Sequence, residues 1–210
     1  MQIVFAFEDG VNGYEDAFRV RHLVEIDKCP VCQTAGCLVR HGVYWRKPRD
    51  GERVYRLPIQ RWWCKTCHHT ISALPDFLLR FRWYLLSVVS EKLVERVEQG
   101  TSWGDLETEA AGAPHVRTMQ RWWVSFGGQA GSWLAVIQAF LAQQDSPSPW
   151  LDPHGEALQG GDGRAALLRA TVHLLAWGKS RWAELAGYGW EDRLRFLWLW
   201  GRARGMERLV

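Results

Sequence analysis

The chain has 210 residues, 47% hydrophobic and 23% charged, with a formal net charge of +3. Such values fit a globular protein of one or two small domains and exclude disorder as the default state. No uninterrupted run of about 20 apolar residues is available for a membrane helix, so no membrane partner is expected. The N-terminus lacks the basic start and long apolar run of a signal peptide. Five cysteines, four of them in doublets, suit a reducing compartment, and a cytoplasmic location is expected.

The charge is unevenly spread. Residues 1–28 hold six acids against three bases, whereas residues 40–65 hold eight bases against Asp50 and Glu52. In chain order, residues 1–26 read as an N-terminal extension with a short apolar start and a second apolar patch around Phe18 to Ile26. Either a strand or a helix would accommodate it.

Residues 27–73 carry the most specific signal. Cys29-Pro-Val-Cys32 and Cys64-Lys-Thr-Cys67 each place two thiols at the spacing where one tight turn aims both sulfurs at one ion. Two such turns close a four-ligand structural site, so one structural Zn2+ is expected on Cys29, Cys32, Cys64 and Cys67. The 31 residues between the doublets exceed the usual gap of about 15 to 20. The excess is assigned to a long hairpin with its tip at Pro48 and Asp50-Gly51.

Residues 43–46 and 53–57 read as strands facing each other, and 60–63 and 68–72 as strands flanking the second doublet. Pro58, which lacks a backbone donor, should lie at an edge or a bulge. Cys37 is a fifth thiol, and His68 and His69 stand beside the second doublet. Any of the three could replace a named ligand, but a spare thiol and surface histidines fit better.

The hairpin interleaves Arg46, Lys47, Arg49, Arg53, Arg56 and Arg61 with Tyr44, Trp45 and Tyr55. Guanidinium groups pair with phosphates and rings stack on bases, so this is a candidate nucleic-acid surface. A solvated hairpin with aromatic cover for a small core gives the same pattern.

Residues 74–127 read as helical. A helix is expected over Phe77 to Gln99, with Leu86, Val89, Leu93 and Val97 on its apolar face and Gly100 as its cap. Ser102 with Asp105 resembles a capping box opening a second helix from Trp103 to Ala111. A third, His115 to Phe126, would bury Val116, Met119, Trp123 and Phe126 and expose Arg117, Gln120 and Arg121. That is the layout of a helix-turn-helix whose last helix reads base edges, and equally that of a plain helical bundle.

Residues 128–210 begin with a short apolar helix, Trp133 to Ala142. A Pro- and Gly-rich linker or long surface loop follows at 143–163. Two further helices, Arg164 to Trp177 and Trp190 to Arg204, end the chain. Their tryptophans read as core, or as a surface for a protein partner or a second copy.

The expected fold class is therefore α+β: a small zinc ribbon of β-hairpins followed by a mostly helical region that includes a helix-turn-helix.

The ordered segments 29–32, 40–44 (Arg-His-Gly-Val-Tyr), 57–62 (Leu-Pro-Ile-Gln-Arg-Trp), 64–67, 74–79 (Leu-Pro-Asp-Phe-Leu-Leu) and 118–122 (Thr-Met-Gln-Arg-Trp) resemble an uncharacterised bacterial zinc-ribbon family. That family is related to the zinc-ribbon and helix-turn-helix portions of insertion-sequence transposases. The resemblance covers about residues 27–126. It implies that the four cysteines of the doublets hold zinc and that the ribbon with its following helices binds DNA in a bacterial cytoplasm, at the nucleoid.

The pattern departs from such transposases after residue 126. Asp145, Asp152, Glu156 and Asp162 lie in or beside the linker, and no strand-rich stretch follows to carry a two-metal carboxylate site. No enzymatic activity is expected. Two other readings stay open, a zinc-stabilised protein-interaction adaptor and an RNA-binding ribbon.

Overall fold

The computed structural model describes residues 1–20, 24–110, 112–144 and 162–210. It is a mixed α+β protein with a four-stranded sheet and six α-helices, divided into two compact units, Met1–Leu85 and Leu86–Val210.

The first unit is built on the sheet. Its strands are β1 (Gln2–Phe5), β2 (Leu38–Arg46), β3 (Leu57–Cys64) and β4 (Thr70–Pro75), in spatial order β1-β4-β3-β2. β2, β3 and β4 form an antiparallel meander, and β1 lies parallel to β4 with Gln2 opposite Ser72. The apolar N-terminal start is thus an edge strand of the sheet, and the compact unit begins at Met1 rather than at residue 27. Helix α1 (Gly10–Val20) follows it. Tyr14 and Phe7 of this segment pack with Phe77 in edge-to-face contacts of 5.3 to 6.4 Å, and the Tyr14 hydroxyl donates to the Pro58 carbonyl at 3.0 Å. Burial pushes the Tyr14 phenol well above its usual range. Of the patch expected around Phe18 to Ile26, residues 21–23 lie outside the described residues.

One strand expectation needs correction. β2 pairs with Leu57–Gln60 rather than with residues 53–57, so that Trp45 stands opposite Pro58 and Tyr44 opposite Ile59. Leu57 and Ile59 are fully buried, and this apolar run wins the place beside β2 over the alternating Arg53-Val-Tyr-Arg56. Residues 47–56 form the hairpin tip instead, organised by Asp50, which accepts the amides of Glu52 and Arg53 and the Tyr55 hydroxyl. Pro58 does sit where β3 overhangs β4, whose pairing with β3 starts only at Arg61.

The expected helix over residues 77–99 begins later, as α2 (Leu86–Glu98). Phe77, Leu78 and Leu79 are buried in irregular backbone, and Leu78 bridges Leu85.

In the second unit α2 ends at Gly100 with φ of 68°, as the cap expected there. α3 is a single turn, Trp103–Leu106, capped by the Ser102 hydroxyl on the Asp105 amide at 3.2 Å. It stops five residues short of the expected Ala111 because Glu107 is already extended. α4 runs unbroken from Val116 to Gln143 and merges two expected helices. Its buried stripe is Met119, Trp122, Phe126, Ala130, Trp133, Ile137 and Leu141, spaced three and four apart straight through the intervening glycines. Trp122, not Trp123, therefore faces the core. α5 (Gly163–Lys179) and α6 (Arg193–Arg202) complete the unit. Residues 145–161, most of the expected linker, lie outside the described residues together with Asp145, Asp152 and Glu156.

Trp133 fills the centre of this unit, fully buried, with its indole N–H donating to the Arg208 carbonyl at 2.9 Å. Its ring packs against Gly201 of α6: a Cβ there would stand 2.0 Å from the ring. Gly201→Ala should therefore lower unfolding stability by about 2 to 3 kcal/mol, read from denaturant melts of the full chain; an unchanged melt would mean that the ring moves freely.

Candidate metal centre

The two cysteine doublets fold into matched turns. In the first, the Gln33 amide donates to the Cys29 carbonyl at 2.8 Å and the Cys29 amide to the Thr34 carbonyl at 3.0 Å. In the second, the His68 amide donates to the Cys64 carbonyl at 3.0 Å and the Cys64 amide to the His69 carbonyl at 3.0 Å. Each turn also sends an amide to its leading sulfur at 3.4 Å, from Val31 to Cys29 and from Cys67 to Cys64. Gln33 and His68, the residues directly after each doublet, both adopt left-handed backbone, with φ of 60° and 58°. Sequence inspection missed this pair. The left-handed position falls on residues other than glycine, so the composition carries no cue for it.

The hairpin β2–β3 brings the turns together. The sulfurs of Cys29, Cys32, Cys64 and Cys67 all lie within 4.8 Å of one another. Cys29 Sγ is 3.7 Å from Cys67 Sγ, and Cys32 Sγ is 3.7 Å from Cys64 Sγ. A tetrahedral centre with metal–sulfur bonds of about 2.3 Å has sulfur–sulfur edges of about 3.8 Å, so the four are close enough to hold one metal ion. Cys29 and Cys64 are wholly buried against Trp62, Ile71 and Cys37, while Cys32 and Cys67 reach the surface.

The thiols are electrostatically unequal. Burial disfavours ionisation of Cys64, yet the Cys67 amide and the Cys37 thiol bring its pKa down to about 5. Burial pushes the Cys67 thiol up to about 12 against a favourable bond from the His69 amide. The Thr34 hydroxyl lowers that of Cys32. Four sulfurs this close repel one another once ionised, and a shared cation removes that penalty.

The three alternative ligands stay outside the cluster. Cys37 Sγ lies 3.3 Å from Cys64 Sγ and 3.1 Å from the Thr34 carbonyl, and burial raises its pKa to about 11. The His69 ring pairs with the Cys67 carbonyl at 2.8 Å, and the His68 ring lies against Trp63.

The basic residues of the hairpin divide into two sets. Lys47, Arg53 and Arg56 are exposed, and Arg56 lies 4.3 Å over the ring of the exposed Trp45. Arg49 is half-buried, its backbone bonded to Trp83 and Leu85. Arg61 is half-buried on one face of β3. Arg46 is turned inward: it donates to the Leu79 carbonyl at 2.9 Å and to the Arg82 carbonyl, and burial lowers its pKa. It is therefore a half-buried clamp on residues 79–82 rather than an exposed cation of the hairpin. In the second unit Arg117, Gln120 and Arg121 are all exposed on the first two turns of α4.

Most tryptophans of the helical unit are core. Among the described residues Trp122, Trp133, Trp177, Trp198 and Trp200 are buried, Trp103 and Trp123 are half-buried, and Trp182 and Trp190 are exposed. Several rings carry guanidinium groups, such as Arg164 at 4.1 Å over Trp123 and Arg204 at 4.1 Å over Trp200. No helix of the described residues is long and apolar enough to cross a membrane.

Fold and site together define a mixed α+β protein with a four-cysteine metal-binding centre in its strand region. Residues 29–122 match a family described as a domain of unknown function (DUF6431), from the first metal-site cysteine to Trp122 of α4. No curated protein and no solved structure matches the chain.

Two substitutions separate ligand from neighbour. Cys64→Ser should reduce bound metal, measured by elemental analysis, from one ion per chain to near zero, whereas Cys37→Ser should leave it at one. Arg46→Met should cost about 1 to 3 kcal/mol of stability by leaving two carbonyls without their charged donor, with metal content unchanged.

Proposed function

We propose that the chain is a DNA-binding protein whose four thiolates hold one structural Zn2+, acting as a regulatory or accessory factor of mobile-element origin in a bacterial cytoplasm. Four cysteine ligands fill a tetrahedral zinc and leave no position for substrate, which favours a structural role over catalysis. The observation that carries the reading is a basic patch in each unit: exposed Lys47, Arg53 and Arg56 with Trp45 on the hairpin of the first, and exposed Arg117, Gln120 and Arg121 at the start of α4 in the second. The first group suits phosphates and the second suits base edges in a major groove. The ordered motifs resembling the DNA-binding portions of transposases point the same way. Exposed Trp45, Phe81 and Trp83 favour a second reading, single-stranded DNA or RNA, because unstacked bases lie on such rings.

Fluorescence anisotropy with metal-loaded full chain and duplex DNA, repeated across salt concentrations, tests the proposal. Affinity should fall steeply as salt rises, and a double charge reversal of Arg117 and Arg121 should weaken binding at least about tenfold and flatten the salt slope by about two. Metal-loaded protein with no salt-dependent binding to duplex or single strand would remove the reading.

A further inference from the structure

A pocket of about 430 Å³ opens on one face of the sheet in the first unit, within the size range of small-ligand sites. Tyr44 and Arg46 of β2, Arg61 of β3 and Ser72 of β4 line it, with Arg80 and Phe81 from the segment after β4. The strand register explains the grouping: Tyr44 stands opposite Ile59, and Arg61 opposite Ser72, so alternate residues of three strands share this face. Three of the lining residues are arginines, and none is acidic. Arg61 has no carboxylate partner among the described residues. Arg46 uses two of its five N–H donors on the Leu79 and Arg82 carbonyls, which leaves three for a ligand.

Phe81 supplies an independent observation. It is 70% exposed, and its φ of 57° is the left-handed region, where a bulky side chain is strained. Its ring carries Arg80 at 4.8 Å and forms part of the pocket wall. Burial does not account for holding an exposed ring in costly backbone, and such strain clusters where a ligand is clamped. The Arg46 clamp on residues 79–82 is what holds the ring there. A concavity with arginines among its lining and no acid concentrates anions, guanidinium groups fit the forked geometry of phosphate, and a flat ring at the rim fits a base.

We infer that this pocket binds a nucleoside phosphate unit, with the phosphate among Arg46, Arg61 and Arg80 and the adjoining base against Phe81. The chemistry is common to a free nucleotide and to the phosphorylated end of a single strand. The inference does not depend on groove recognition by α4.

The test is calorimetric titration of metal-loaded full chain with inorganic phosphate, with thymidine 5′-monophosphate, and with a short single strand carrying or lacking a 5′-phosphate. The phosphorylated strand should bind about tenfold tighter than its unphosphorylated twin, or the mononucleotide should bind about tenfold tighter than phosphate alone. The first result identifies a strand end as the source, and the second a free nucleotide. Arg61→Gln should erase the gain. Phe81→Gly should erase it as well while leaving thermal stability equal or higher, since glycine adopts this backbone without strain. Absence of any phosphate-dependent gain, or a gain untouched by Arg61→Gln, overturns the inference. Because duplex binding is read separately through Arg117 and Arg121, failure here is distinguishable from failure of the DNA-binding reading.

Discussion

Four sulfurs from two backbone turns meet at one point, and the end of the first unit that carries the doublets is organised on that meeting. The turns at residues 29–34 and 64–69 are similar down to their hydrogen bonds, yet they belong to segments separated by the whole β2–β3 hairpin. The apolar cluster around them is small: Trp62, Ile71 and the cysteines, with Ile3, Ile26 and Leu38 at its margin. A core of that size provides little hydrophobic stabilisation by itself, and an ion bound by thiolates turns its binding free energy into folding free energy. An ion held there would also resolve the electrostatic conflict among the thiols, whose pKa values are driven in opposite directions.

From that junction the sheet extends toward a second fastening made of different chemistry. Arg46 at the end of β2 ties down the chain after β4, and this draws Arg80 and Phe81 to the sheet face where Arg61 lies. One guanidinium thereby does two things. It satisfies carbonyls that buried irregular backbone would otherwise leave unpaired, and it adds positive charge to a concave surface. The helical unit uses arginine differently, laying guanidinium groups on tryptophan rings so that large aromatics at its margin are covered by charged side chains.

The metal centre was legible because its information is local. A doublet of cysteines two residues apart encodes a turn, and two doublets encode a site, whatever the intervening chain does. The hairpin tip was legible for the same reason, since Asp50 and Gly51 act on their own neighbours. The extent of α4 was not. Two helices are expected from the sequence, one ending at Phe126 and the next starting at Trp133, but the buried stripe from Met119 to Leu141 passes straight through Gly127, Gly128 and Gly131, and tertiary packing outweighs a weak local preference.

By itself the sequence determined the α+β character, the four sulfur ligands and the caps at Gly100 and Ser102, because covalent spacing and backbone preference act over a few residues. Tertiary structure alone decided which arginines face water and which bond to carbonyls. It also decided that Trp122 rather than Trp123 enters the core, and that residues 77–85 form a clamped loop instead of a helix. An arginine is written the same way in either role. Its environment comes from strands and loops distant along the chain, and only their packing settles what the charge meets.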